Sequence, residues 1–187
     1  MAVHPIRIAG EPVLHRPASA INDFDWTLRD LVKDMFDTMQ AAPGVGLAAP
    51  QIGIGLQLFV YEWSNEGVTH RGVAANPELV LSTMPDRRPH DEDEQEGCLS
   101  FPGYRFPLVR SESVVLQAQD ELGNPYQIEA SGWLARIFQH EFDHLQGRLY
   151  VDRLIPEFED DVREIKRAEG WGVPGNAWLP GVDDLEA

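Results

Sequence analysis

Cysteine is nearly absent from this chain: Cys98 is the only one. An intramolecular disulfide is therefore excluded, which suits a reducing compartment. Basic residues are also scarce, 15 against 31 acids, for a formal net charge of −16. Such a balance opposes broad binding to nucleic acid or anionic lipid and reads as a solvated surface. No apolar run approaches the length of a membrane span. The start, "MAVHPIRIAGEPVLH", has no long apolar core and reads as neither a signal peptide nor a transit peptide. Internal repeats are missing, and so is any sign of a second domain. These absences lead us to expect a cytoplasmic protein without a nucleic-acid or membrane partner.

What is present is enough for one domain. The chain has 187 residues, 43% of them hydrophobic, so it can bury a sizeable core. Residues 25–41 place Leu28, Leu31, Val32, Met35, Phe36 and Met39 at helical spacing, with Asp25 as N-cap. "GVGLAAPQIGIG", 44–55, is apolar but rich in glycine and reads as a tight loop against the core. Residues 56–62 and 71–81 read as strands, the second interrupted at Asn76-Pro77. The acidic stretch 82–96 has no periodicity and reads as a solvated loop. Residues 113–119 and 125–130 flank "DELGN" as a hairpin. Ser131 stands ready to cap a helix through "GWLARIFQHEFDHLQG". In that helix Trp133, Ile137, His140 and His144 form one stripe, and Leu134, Phe138 and Leu145 another. Arg136, Gln139, Asp143 and Gln146 form a narrow polar strip. Pro156 begins a third helix, and the Gly-, Pro- and Trp-rich end is expected on the surface. Strands and helices mix without regular alternation, which predicts an α+β fold. Its antiparallel or mixed sheets should pack around the central, buried helix that carries H-E-x-x-H.

That helix raises the chemical question. His140 and His144 lie four residues apart and project from one face, as two ligands to one metal ion would. Zinc-like catalytic sites want a third protein ligand and an open position. Read from the residues alone, three candidates stand. A third histidine in the pattern H-E-x-x-H-x-x-G-x-x-H would fall at position 150, which is Tyr150. A downstream glutamate, Glu164, lies on a predicted helix among charged neighbours. Cys98, in "EGCLSFPG", would be a strong soft ligand as a thiolate, although a lone cysteine is more often a small buried hydrophobe.

Three short segments occur in order: "GVGLAAPQ" at 44–51, "EGCLS" at 96–100 and "QHEFDH" at 139–144. Together with the start "IRIAGEPVLH", they resemble the peptide deformylases over residues 4–155. The resemblance implies removal of the formyl group from N-terminal formylmethionine of nascent polypeptides, with release of formate. It assigns Cys98, His140 and His144 as metal ligands. Glu141 would be the proton carrier, and the Gln51 amide and Leu99 N–H the oxyanion donors. Val45 and Gly46, with Gly97 opposite, would pair with the peptide as an added strand, and Ile137 would line the methionine pocket. The implied metal is Fe(II) in the cell, with zinc or nickel in preparations. Residues 1–155 would be the catalytic domain, followed by an acidic helix and Gly/Pro/Trp-rich tail at 156–187.

Some features depart from that pattern. Arg136 stands where an apolar residue is expected near the side-chain pocket. The segment 82–95 is unusually acidic. Residues 157–169 hold six acids against three bases, unlike the basic C-terminal helix through which some deformylases dock on the ribosome. Glu96 and Asp143 could orient a ligand or hold an arginine such as Arg110. Two other readings compete: a two-His, one-Glu metallopeptidase using Glu164, and a binding module stapled by a metal with His70, His90 or Glu96 as fourth ligand.

Overall fold

Helix α1, Trp26–Ala41, begins where the Asp25 carboxylate accepts from the backbone N–H of Thr27 and Leu28, at 2.9 and 3.1 Å. Leu28, Val32, Met35 and Met39 recur along one face, and that face is buried. The computed structural model describes residues 2–90, 92–183 and 185; the end of the expected tail, at 184, 186 and 187, lies outside the described residues.

After Pro43 the glycine-rich stretch departs from the expected loop. Residues Gly46–Ala48 form strand β2, followed by a 3₁₀ turn over Ala49–Ile52. Three residues are too few for a period-2 pattern to show, and the strand exists only because β3, Leu58–Asn65, lies beside it. Strand β4, Val68–Leu81, follows through Glu66 and Gly67, whose φ values of 50° and 80° suit a two-residue hairpin turn. Asn76 interrupts β4 at a φ of 48°. Its side chain accepts from Ile21 N and donates to Ile21 O and Gln119 Oε1, offsetting the strain with three hydrogen bonds. Strands β7, Ser113–Gln119, and β8, Pro125–Ser131, form the expected hairpin and complete an antiparallel sheet ordered β2-β3-β4-β7-β8.

The alternation of side chains along β2 and β3 builds two apolar layers. Leu47, Leu58 and Val60 share a buried cluster with the α1 residues. Ala48, Phe59 and Tyr61 share another with Leu134 and Phe138 of helix α2, Gly132–Leu145. Strands β5, Gln95–Cys98, and β6, Phe101–Pro107, form a separate antiparallel ribbon. The fold is thus α+β with antiparallel sheets and few helices.

Further expectations require correction. Ser131 precedes α2, but its side chain makes no cap bond; the chain enters the helix directly from β8. Segment 82–96 is not wholly solvated: Glu94 and Glu96 are buried, and β5 starts inside it. The strip of Arg136, Gln139 and Asp143 on α2 is also buried, because Arg136 and Asp143 face ionic partners and Gln139 bonds the Ser111 backbone. A 3₁₀ turn, Pro156–Phe158, leads into α3, Glu159–Ala168. Beyond it the tail returns to the core: β9, Ala177–Trp178, pairs with β1, Ile6–Arg7. Trp178 is buried there, and its indole N–H donates to Leu99 O at 2.9 Å. Among the described residues no helix is long and apolar enough to cross a membrane.

Replacing Asp25 by alanine removes both cap bonds and is expected to cost about 1 kcal/mol. For a chain of this size the melting temperature should fall by about 2–4 °C. Calorimetry checks this; an unchanged midpoint would show that the cap contributes nothing.

Candidate metal centre and cavity

The last two turns of α2 carry His140 and His144, whose rings lie 5.0 Å apart between centroids. Strand β5 brings Cys98 against them from the opposite side. Its sulfur is 3.3 Å from His144 Nε2, and one ligand atom from each of the three residues lies within 4.8 Å of the others. All three residues are buried. Tetrahedral coordination with bonds of about 2.0–2.3 Å needs donors at such separations, and one thiolate with two imidazoles suits a divalent transition metal. The donor set therefore fits an ion. Neither other candidate ligand joins it. Glu164 is exposed on α3. Tyr150 donates its hydroxyl to Tyr104 O at 2.9 Å and stacks its ring on His140.

A buried ionic lattice supports the imidazoles. Glu96 Oε1 is 3.2 Å from His140 Nδ1, which directs the other ring nitrogen toward Cys98. Arg110 grips Glu96 through Nε and Nη2, both at 3.2 Å, and reaches Asp143 Oδ2 through Nη1 at 2.6 Å. Arg153 binds the other oxygen of Asp143. Burial would push the Glu96 carboxyl up, but Arg110 and His140 outweigh it and hold the group down at about 2. Burial would likewise lower His140, yet Cys98 and Glu96 on its two sides raise it well above ordinary imidazole. His144, buried beside His140 and Arg110, is pushed well below.

Glu141 leaves the helix toward β2. Burial raises its carboxyl to about 7, more than His140 lowers it. Among the described residues, Glu141 Oε2 and His144 Nδ1 are buried without a hydrogen-bond partner. Room for this carboxylate depends on a missing side chain: a Cβ at Gly46 would collide with it. Gln51 is held with its amide oriented. Its Oε1 accepts from Ala48 N at 2.8 Å, which turns Nε2 toward Ser100 Oγ at 3.4 Å and Cys98 Sγ at 3.7 Å.

These groups open into a cavity of about 290 Å³. All ten residues singled out from the sequence as ligands or as catalytic or binding groups line it except His144, which lies beneath it. Strand β2 is the edge of its sheet. Val45 O accepts from Glu62 N at 2.9 Å, so by antiparallel alternation the N–H and C=O of Gly46 point to the open edge. Sequence reading missed Trp63 and Trp133, which stand 6.2 Å apart on the cavity wall, and Ser100, whose N–H points at Cys98 Sγ from 3.4 Å. Trp133 shares the helical stripe of the histidines and Ser100 closes the motif of Cys98, whereas Trp63, on β3, is marked only by its neighbours in space.

The sequence matches the family described as polypeptide deformylase over residues 3–159. Peptide deformylase of Tropheryma whipplei strain TW08/27 is 51% identical, covering 94% of this chain and 92% of its own. That of Mycolicibacterium vanbaalenii is 45% identical over 98% of this chain and 97% of its own. Among solved structures, a peptide deformylase from Legionella pneumophila superposes with a TM-score of 0.77 at 38% identity, covering 90% of this chain and 96% of that one. The enzyme from Thermus thermophilus gives 0.76 at 41% identity, covering 90% and 95%. The three motifs, the Cys–His–His cluster and these likenesses agree: the chain belongs to the polypeptide deformylase family.

Proposed function

We propose that this chain is a metal-dependent hydrolase that removes the formyl group from N-terminal formylmethionine of nascent polypeptides and releases formate. The observation that carries this reading is the Cys98–His140–His144 cluster with Glu141 beside it, open to a cavity bordered by a free strand edge. Cys98, His140 and His144 hold the ion, which is Fe(II) in the cell, with zinc or nickel able to replace it in preparations. Such an ion supplies Lewis-acid chemistry, polarising a carbonyl oxygen and acidifying water.

The chain's own residues do the rest. Glu141 takes a proton from the attacking water at Oε2 and delivers it to the leaving nitrogen as the formyl C–N bond breaks. One water is consumed, and formate and a free amine result. Gln51 Nε2 and Leu99 N–H donate to the oxyanion of the tetrahedral intermediate. The substrate backbone adds to the edge of β2 through Gly46, beside Val45 and with Gly97 opposite. Ile137 lines the pocket for the methionine side chain. The helix carrying H-E-x-x-H is the centre of the catalytic unit, residues 1–155. The acidic helix and Gly/Pro/Trp-rich tail, 156–187, follow it, and Ala177–Trp178 of that tail pair with Ile6–Arg7. We place the protein in the cytoplasm, where nascent chains are met, with no basic C-terminal helix for ribosome docking.

Cys98→Ala should lose the metal while Glu164→Ala keeps it, since only the thiolate completes the cluster. Metal content of the two purified variants decides, and the reverse result would overturn the ligand assignment.

Glu141→Gln should retain the metal and lose hydrolysis by about 10²–10⁴-fold. Near-normal turnover in the metal-loaded variant would remove Glu141 as the proton carrier.

The residues of β2 and β5 that line the cavity on either side of the cluster also bear on substrate choice. A formyl carbon bears only hydrogen, and one added methyl group against such a wall costs about 1–3 kcal/mol. A formyl-methionyl peptide should therefore be hydrolysed rapidly and its acetyl counterpart slowly, with internal peptide bonds intact. Formate and new amine ends, measured separately, test this. Comparable cleavage of internal bonds would restore the metallopeptidase reading.

A further inference from the structure

Arg136 is the unexpected residue of the cavity. It sits on α2 next to Ile137 and lines the same space as Trp133 and Trp63, yet it is only 9% exposed. Its guanidinium is held from behind the wall. Nη1 donates to Leu108 O at 2.7 Å, and Nη2 to Glu94 Oε1 at 3.2 Å. Glu96 Oε2 lies 3.8 Å from Nη1, and the Trp133 ring centroid is 5.4 Å from Cζ.

Glu94 does not line the cavity. It comes from the acidic segment that has no other assigned role, and it is itself clamped. Arg87 binds both of its oxygens, at 2.8 and 2.9 Å, and His90 N–H donates to one at 2.8 Å. Opposite charges thus alternate from the surface inward, Arg87 to Glu94 to Arg136 to Glu96 to Arg110. A guanidinium flanked by two carboxylates exerts little pull on a third. Arg136 thus lines the cavity with its charge already answered, which suits an uncharged side chain.

We propose that Arg136 is a specificity-determining residue for the substrate's first side chain, and that Glu94, locked by Arg87, is the positioning residue that keeps the guanidinium turned away from the cavity. Arg87, His90 and Glu94 of the acidic segment then brace one wall of the substrate pocket. The proposal rests on the deformylase reading. Its consequence is a change of selectivity: without Glu94, the cation is free to pair with a carboxylate on the substrate.

The test uses the full-length, metal-loaded protein and formyl peptides identical except for a first residue of Met, Gln or Glu. Gln and Glu have the same size, so their ratio isolates charge. In Glu94→Gln, kcat/KM for Glu relative to Gln should rise about tenfold, equivalent to about 1.4 kcal/mol, mainly through KM. On the Met peptide KM should rise more than kcat falls. Adding Arg136→Leu to Glu94→Gln should abolish the gain, because the cation is gone. Arg87→Gln, at the outer end of the chain of charges, should move the ratio the same way to a smaller degree. It keeps the test decisive if Glu94→Gln does not fold. A ratio within about twofold of the parent's in every folded single variant, or an equal loss on all three peptides, would overturn the proposal. Parent turnover of the Met peptide is read in the same series. Its presence with an unmoved ratio sinks only the role of Glu94 and Arg136, whereas its absence sinks the deformylase reading and this proposal together.

Discussion

Arg110 lies buried between two carboxylates from different elements, Glu96 of β5 and Asp143 of α2. The contact joins the ribbon that carries Cys98 to the helix that carries His140 and His144. The Glu96–His140, Arg136–Glu94 and Arg136–Glu96 contacts join the same two parts of the chain, so the ionic lattice as a whole fixes how the three donors stand to one another. The charges are expensive to bury, and removing one partner would leave the others uncompensated at a cost of about 3–5 kcal/mol. Full pairing is what makes the arrangement tolerable. Arg110 takes both oxygens of Glu96 and His140 shares one of them, so the carboxylate that closes the ionic lattice also sets the ring of a donor histidine.

The same dual use runs through the cavity. Gly46 is short so that Glu141 has room, and it is on a sheet edge so that its peptide groups face outward. Gln51 has its oxygen occupied by Ala48 N–H, which leaves its amide N–H₂ to face the cluster. In each case a backbone constraint orients a side chain before any substrate arrives. Reaction in such a site needs little reorganisation, which is the source of most electrostatic catalysis. The tail adds to this order: Trp178, nearly at the chain's end, holds the Leu99 carbonyl from outside.

Much of the architecture is legible because it follows short-range rules. The α1 stripe, the Asp25 cap and the 113–130 hairpin depend on periodicity and turn chemistry, which neighbours along the chain supply. The pairing of His140 with His144 on one helical face is equally local. Cys98 is different: it lies far from both histidines along the chain, and no local pattern separates it from Glu164 as a partner. Family motifs name it, and folding puts its sulfur beside His144.

The acidic residues show where local reading ends. Glu94 and Glu96 stand in a run of charges that looks solvated, and Arg136, Gln139 and Asp143 look like the wet face of α2. Each is buried because its polar partner arrives from another element. Burial of a charge depends on its partner, and partners distant in sequence leave no period or composition to read. Gly46 of β2 and the Trp-rich tail carry the same lesson. Amino-acid order alone establishes α1, the 113–130 hairpin, the histidine pair and the chemistry that pair suits. Long-range packing decides which carboxylates are buried, which strand edge stays open and how the donors meet, because those depend on distances that only the folded chain defines.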